Sequence, residues 1–487
     1  MTFIFYGKGT LSLILEIFYL ITVVFTIVLV IQQRGNPLKT ISWLLVVLLL
    51  PILGIIIYFF FGQNYRKQKI FSRKGLRDLE RISELNVHKI KHIDTNESLI
   101  DTKIRTKRHI MKLLLNNSKS ILTDRNKIDI YNSGEKAFNE IISELENASH
   151  HIHLEYYIIE EDKLGNNIKD ILIRKAKEGV EVRVIYDYLG SWDLSDHYID
   201  SIIAAGAEVY SFLPVHFPKF TNKINNRNHR KIIVVDGKVG FVGGMNIAIR
   251  YIEGNESMGS WRDTHLKIEG DAVSSLQQIF LIDWSFVSNK IIKSKKYFPP
   301  HSIENTCLVQ ITASGPDSDW ASIMQAYFSA ITTAQDHIYI SMPYFIPNES
   351  MLTALKTAAL SGVEVRIMIP YHSDSHIVFR STLSFVSELL EAGIHVHFFK
   401  NGFNHSKLVM VDGILASVGS ANMDIRSFDQ NFEVNALIYN EKIAISLEKS
   451  FKNDLKHCIE YSLKAWEKRH WSNQAKESFA RILSPLF

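Results

Sequence analysis

At 487 residues the chain is too long for one compact core, and at roughly 100–200 residues per domain it is expected to divide into about two to four units. A composition of 46% hydrophobic, 11% aromatic and 22% charged residues, with 11 Pro and 24 Gly, excludes a disordered, collagen-like or low-complexity chain. Fifty-five Lys and Arg against 51 Asp and Glu leave a net +4, which argues against a dedicated duplex-binding protein, and the two cysteines, Cys307 and Cys458, exclude a disulfide framework or a four-thiolate zinc site.

Hydrophobicity concentrates at the N-terminus. Residues 11–31 and 41–61 are two nearly uncharged runs, each of about the length needed to cross the hydrocarbon of a bilayer. The first run is too long for a signal peptide, has no basic cluster before it, and is followed by the second run rather than by a cleavage site. The pair is expected to form a two-helix transmembrane hairpin, with Pro51 and Gly54 tolerated inside the second span. Arg34 and Lys39 lie in the loop, whereas Arg66, Lys67, Lys69, Arg73, Lys74 and Arg77 follow the second span. This bias predicts that both termini and the large C-terminal part face the cytoplasm, with the basic flank available to anionic lipids.

Residues 62–124 read as a basic, helical connector. Beyond it the chain repeats itself. Ala148–Leu154 resembles Ala334–Ile340, Gly179–Ile185 matches Gly362–Met368, and Ala205–Tyr210 matches Ala392–His397. Each match is an alternating apolar strand entered from a helix-like stretch. This rhythm predicts an α/β fold of two homologous halves, 125–300 and 305–445, with mostly parallel sheets. The tail, 446–487, reads as amphipathic helix packed on the core.

The strongest repeat carries chemistry. The first half reads NHRKIIVVDGKVGFVGGMN and the second NHSKLVMVDGILASVGSAN. His229, Lys231, Asp236, Gly244 and Asn246 recur at identical spacing as His405, Lys407, Asp412, Ser420 and Asn422. Histidine and lysine two apart on a strand share a face, and Asp-Gly then makes a hairpin turn. Turn chemistry accounts for Asp236 and Asp412 as readily as contact with substrate does, and both are kept with the histidines and lysines as candidate catalytic residues. The histidines and lysines together call for an anion, because an unpaired buried ammonium is costly.

Two imidazoles, two ammoniums and two amides converging on one cleft make a phosphate site. The lysines take the nonbridging oxygens, and Gly244, Ser420, Asn246 and Asn422 are expected to add neutral donors. One histidine, neutral, attacks phosphorus while the other, protonated, gives its proton to the leaving alkoxide. No metal or other cofactor is expected, since the lysines supply the positive charge. A histidine in this work needs a partner on its other nitrogen. Asp263 and Glu433, which begin the aligned segments DTHLKI and EVNALI, are the candidates, and spacing does not say which serves which histidine.

The doubled His-x-Lys-x4-Asp pattern resembles the phospholipase D superfamily. The hydrophobic pair, GSWRDTHLKIEG, PYFIP at 343–347, GSANMDIRSFDQNFEVN and the closing RILSPLF resemble, more narrowly, its bacterial cardiolipin synthase branch. Gly244, where the second motif has Ser420, departs from the doubled pattern by one hydroxyl. The resemblance implies a membrane enzyme that joins two phosphatidylglycerols through a phosphatidyl-histidine, releases glycerol, and uses His229 as nucleophile and His405 as acid. It implies lipid partners and no nucleic acid. A hydrolytic phospholipase D and a membrane-tethered nuclease share these residues, because transfer and hydrolysis differ in the exclusion of water from the cavity. A non-enzymatic scaffold would not need both motifs intact.

Overall fold

The computed structural model describes residues 17, 20–28, 31, 37–58, 102–215 and 225–484. The chain divides into two units, Met1–Ile70 with Val215–Asn225, and Phe71–Pro214 with Asn226–Phe487.

In the first unit the described residues 20–28 are helical, and the rest of the expected span 11–31 lies largely outside the described residues. The second expected span is broken. Helix Pro37–Leu49 stops at Leu50, and a shorter helix, Pro51–Ile57, begins with proline at its first position. Pro51 has no N–H to continue the preceding helix, and it fits best where a helix starts. Among the described residues no helix is long and apolar enough to cross a membrane.

In the second unit, residues 62–101 of the expected connector lie outside the described residues. Its remainder forms helices Thr102–Arg105 and Arg108–Ser118. Ile110, Met111 and Leu114 then join the core of the C-terminal half. The strands follow in chain order. The first half contains β1 (Leu122–Tyr131), β2 (His151–Tyr156), β3 (Glu181–Asp187), β4 (Glu208–Phe212), β5 (Lys231–Val235), β6 (Val239–Gly243), β7 (Trp261–Arg262) and β8 (His265–Gly270). The second contains β9 (Thr306–Ser314), β10 (His337–Ser341), β11 (Phe345–Ile346), β12 (Glu364–Pro370), β13 (His395–Phe399), β14 (Phe403–Asn404), β15 (Leu408–Val411), β16 (Leu415–Gly419), β17 (Met423–Asp424) and β18 (Glu433–Tyr439), followed by β19 (Cys458–Glu460).

One 15-stranded sheet runs β19-β13-β12-β10-β15-β16-β18-β9-β1-β8-β6-β5-β2-β3-β4. It is two mirrored copies of one order, joined where β1 pairs antiparallel with β9. The expectation of mostly parallel sheets is corrected. Only β2-β3-β4 and β10-β12-β13 are parallel, and the other pairings in the sheet are antiparallel. Helical crossovers such as Lys163–Lys177 and Glu349–Leu360 return the chain for parallel pairing, whereas the Asp-Gly turns force β5-β6 and β15-β16 into hairpins. Asp236 and Gly237, like Asp412 and Gly413, have positive φ (55° and 66°, 57° and 65°), the backbone that suits a two-residue hairpin turn.

The motif strands are buried on both faces, which explains their continuous apolar runs. Ile233 and Val235 enter the core of the first half, while Ile232 and Val234 enter a central core with Met410 and Ala416 under helices Ala272–Ser288 and Glu441–Leu455. The tail is not one helix. After Glu441–Leu455, β19 adds antiparallel to the edge strand β13, and helices Leu463–Glu467 and Trp471–Ile482 follow, with Trp466 stacked on Phe398.

Candidate active site

Both histidines lie where β5 and β15 begin, and main-chain pairing decides their neighbours. His229 N donates to Phe432 O at 2.9 Å, and His405 N donates to Arg262 O at 2.7 Å. Phe432 precedes Glu433 and Arg262 precedes Asp263, so each histidine runs alongside the segment that carries the other half's carboxylate. The dyads are therefore crossed. His229 Nδ1 stands 3.0 Å from both oxygens of Glu433, and His405 Nδ1 stands 2.8 Å from Asp263 Oδ2. All four side chains are buried.

The residue before each histidine, which the sequence reading passed over although it is identical in both repeats, anchors the motif. Asn228 Nδ2 donates to Glu155 on β2, and Asn404 Nδ2 donates to Ser341 on β10 at 3.0 Å. Each of these asparagines also accepts the main-chain N–H two residues on, at 3.1 Å. Lys231 and Lys407 point into the same buried space. Each ammonium donates to the main-chain carbonyl of its own histidine at 2.6 Å, and Lys407 Nζ also lies 2.8 and 3.0 Å from the two ring nitrogens of His405. The Tyr157 ring meets the Lys231 ammonium with its face and His229 edge-on.

The neutral-donor set is rearranged relative to the sequence reading. Ser420 Oγ donates to Glu433 Oε2, and Asn431 Nδ2 adds a bond to Oε1 at 3.3 Å. At the equivalent position a Cβ on Gly244 would lie 2.3 Å from Asp263 Oδ1. The glycine is thus the space taken by the shorter carboxylate's approach, and the Gly/Ser and Asp/Glu differences form one matched exchange. Asn246 gives its amide N–H to Tyr251 OH at 2.8 Å, and that hydroxyl lies 3.4 Å from His405 Nδ1. Asn422 is buried, and among the described residues its side-chain oxygen has no hydrogen-bond partner.

Asp236 and Asp412, kept with the catalytic candidates on sequence, lie away from the histidines. They sit at the far ends of β5 and β15. Asp236 accepts the main-chain N–H groups of Ser149, His150 and His151. Asp412 accepts those of Gln335, Asp336 and His337, and pairs with the buried Lys107 at 2.7 Å. These bonds hold each carboxyl below its usual range and clamp the hairpin turn to the start of β2 or β10.

Two ammoniums buried with few anions make a strained electrostatic balance. Burial, then repulsion from Lys407, depresses Lys231 well below its ordinary value despite Glu433, and burial takes Lys407 down to about 8. Burial lowers His229 to about 4 against the pull of Glu433, and burial with both lysines lowers His405 well below its usual value. The carboxylates diverge. Glu433, held by His229, Lys231 and Ser420, stays below its ordinary range despite burial, whereas burial lifts Asp263 to about 6. A bound phosphodiester anion would reverse the cationic shifts. Among the described residues no group of three His, Cys, Asp or Glu side chains is placed to hold a metal ion.

Residues 141–284 and 327–455 match the family model described as cardiolipin synthase, PLD-like domain, and residues 18–63 match one described as phospholipase D-nuclease N-terminal. The chain is 42% identical over 486 residues to a cardiolipin synthase of Alkalihalophilus pseudofirmus, covering 98% of this chain and 94% of the relative. It is 40% identical over 481 residues to a cardiolipin synthase of Listeria monocytogenes, covering 98% and 100%. In fold it is similar to the crystal structure of phosphatidylserine synthase from Haemophilus influenzae, with a TM-score of 0.58, 15% identity and coverage of 78% of this chain and 98% of that one. With both motif histidines paired across the halves and similarity along nearly its whole length, the chain belongs to the cardiolipin synthase family of phospholipase D-like proteins.

Proposed function

We propose that the protein transfers a phosphatidyl group from one phosphatidylglycerol to a second, releasing glycerol and forming cardiolipin. The observation that carries this reading is the pair of crossed dyads flanking two buried lysines, within a chain of this family. His229, with its Nδ1–H directed at Glu433, keeps the Nε2 lone pair for attack on phosphorus. The P–O bond to glycerol breaks as the P–N bond forms, and His405 gives the departing alkoxide a proton. The glycerol hydroxyl of the second lipid then loses its proton to His405 and attacks phosphorus, and the P–N bond breaks. Lys231 and Lys407 carry the charge of the nonbridging oxygens in both steps. One phosphodiester replaces another, so no nucleotide is needed.

The N-terminal unit fits membrane attachment. Residues 11–31 and 41–61 carry the necessary hydrophobicity, and the basic residues after them favour a cytoplasmic catalytic unit near anionic lipid. The test is incubation of the purified full-length protein with labelled phosphatidylglycerol. Cardiolipin with equimolar glycerol is expected. Phosphatidic acid as the sole product would replace transfer with hydrolysis.

A further inference from the structure

The halves repeat their histidines, lysines and asparagines, but the groups around His405 include a pair that the first half lacks. Ends of parallel strands are where open α/β sheets bind ligands, and two such ends flank His405. Its preceding residue, Asn404, donates to Ser341 at the end of β10 and contacts Met368 Sδ near the end of β12, both at 3.0 Å. From β10 the chain continues to Tyr344, and from β12 to Asp374. There the Tyr344 hydroxyl lies 2.7 and 2.6 Å from the two oxygens of Asp374, and Ser373 Oγ donates to Oδ1 at 3.2 Å. Phe345–Ile346, directly after Tyr344, pair with Met423–Asp424, directly after Asn422, so the pair stands beside the second motif's asparagine. Asp374 is exposed, and its charge favours the protonated forms of His405 and Lys407.

Aligning β3 with β12 puts Ser191 at the position of Asp374. Ser191 is buried, accepts the N–H of Ile159 at 3.0 Å and donates to Tyr157 O at 3.2 Å. The first half therefore has a structural serine where the second has an exposed carboxylate. A carboxylate repels a phosphodiester, so its presence at the rim of an anion site calls for a neutral hydrogen-bond donor. It has room for about four hydrogen bonds, and Tyr344 and Ser373 leave capacity for two more. Adjacent O–H groups fill that capacity.

We propose that Asp374, oriented by Tyr344, accepts hydrogen bonds from the non-reacting hydroxyls of a glycerol headgroup at His405, both in the departing glycerol and one in the acceptor lipid, and so selects polyol over simple alcohol as leaving group and acceptor. This rests on the transfer reading above and names the recognition element that it needs. Asp374 is a binding residue for the diol, and Tyr344 is a positioning residue acting through it.

The test uses the full-length protein in mixed micelles with an acyl-labelled phosphatidyl-p-nitrophenol donor, and glycerol and propan-1-ol as competing acceptors. The readout is the initial-rate ratio of glycerol-derived product, phosphatidylglycerol plus any cardiolipin formed from it, to phosphatidylpropanol. Losing an exposed acceptor for the diol is expected to lower this ratio about 10–100-fold in Asp374→Asn, and by a smaller factor in Tyr344→Phe. Absolute rates cancel in the ratio, so a general effect of Asp374 on His405 does not mimic the result. If Asp374→Asn gives no turnover, the Tyr344→Phe ratio decides. An unchanged ratio overturns the proposal. If the unsubstituted protein yields only phosphatidic acid, the transfer reading fails by itself. Diol selection is then read from the relative cleavage of phosphatidylglycerol and phosphatidylpropanol donors, and equal loss of both in the variants overturns it.

Discussion

Glu433 of the second half holds Nδ1 of His229 in the first at 3.0 Å through both carboxylate oxygens. The reciprocal pair, Asp263 with His405, makes the cleft a joint product of both halves. Neither half alone contains an oriented histidine. Glu433→Gln and Asp263→Asn remove the charge that fixes the tautomer without removing volume. Each is expected to lower kcat by about 10²–10⁴ with little change in KM. Steady-state kinetics on phosphatidylglycerol checks this, and a loss confined to KM would contradict an orienting role.

The aspartates of the two motifs should behave differently from their histidines. Asp412→Asn leaves the buried Lys107 ammonium without its ion-pair partner, a change that costs about 3–5 kcal/mol. Asp236→Asn weakens three main-chain hydrogen bonds, at roughly 1–3 kcal/mol. Both variants are expected to unfold at lower denaturant while the folded fraction keeps kcat within about tenfold. Loss of turnover at full folded stability would return these aspartates to the chemistry.

Much of the site was legible because the chain writes it twice. The identical spacing from His229 to Asn246 and from His405 to Asn422 marked two halves of one centre, and Asp-Gly marked the hairpins. Spacing could not show that the dyads cross, because that depends on His229 N meeting Phe432 O and His405 N meeting Arg262 O, pairings between segments far apart in sequence. The parallel-sheet expectation failed for a related reason. Helix-then-strand rhythm describes β2-β3-β4, but the joining of the copies through β1 and β9 leaves no local signal. Ser420 looked like a phosphate donor because a hydroxyl near a histidine fits phosphate as well as it fits a carboxylate.

The Gly244 and Ser420 difference yields a rescue experiment. A Cβ at Gly244 meets Asp263 Oδ1 at 2.3 Å, so Gly244→Ser must displace the carboxylate that orients His405. The second half tolerates its serine with a glutamate, whose extra methylene extends past Ser420. Gly244→Ser is expected to lower kcat at least about 10²-fold, and adding Asp263→Glu to recover about a tenth or more of the lost activity. Residues in contact show such non-additivity. Additive losses in the double variant would refute the matched exchange.

The buried ammoniums make stability depend on anion and pH together. Unfolded lysine holds its proton to about pH 10.4, whereas Lys407 in the ligand-free fold holds it only to about 8. Between these values the unfolded state binds more protons, so stability of the ligand-free protein rises with pH across that window. Below about 8 both states are protonated and the full cost of the buried charge is present. An anion bound between the lysines removes this cost. Sulfate, whose own charge is constant over the range, should raise Tm more at pH 7 than at pH 9.5. Equal increments at the two pH values would show that the lysines do not face the anion.

The last prediction assigns the covalent step. Glu433 is held ionised by His229, Lys231 and Ser420, whereas Asp263 is lifted to about 6 by burial. An ionised partner on Nδ1 favours the tautomer of His229 with a free Nε2 lone pair, which attack on phosphorus requires. His405, with Asp263 2.8 Å from its Nδ1, is then left to carry the proton for the leaving oxygen once a bound phosphodiester offsets the charge of the two lysines. A p-nitrophenol leaving group needs little help from an acid. His405→Ala should therefore still form a phosphatidyl adduct from phosphatidyl-p-nitrophenol and then stall, because the acceptor hydroxyl has no base. His229→Ala should form none. Rapid acid quench, proteolysis and mass spectrometry read the result directly, and an adduct on His405 with His229 unmodified would exchange the two roles.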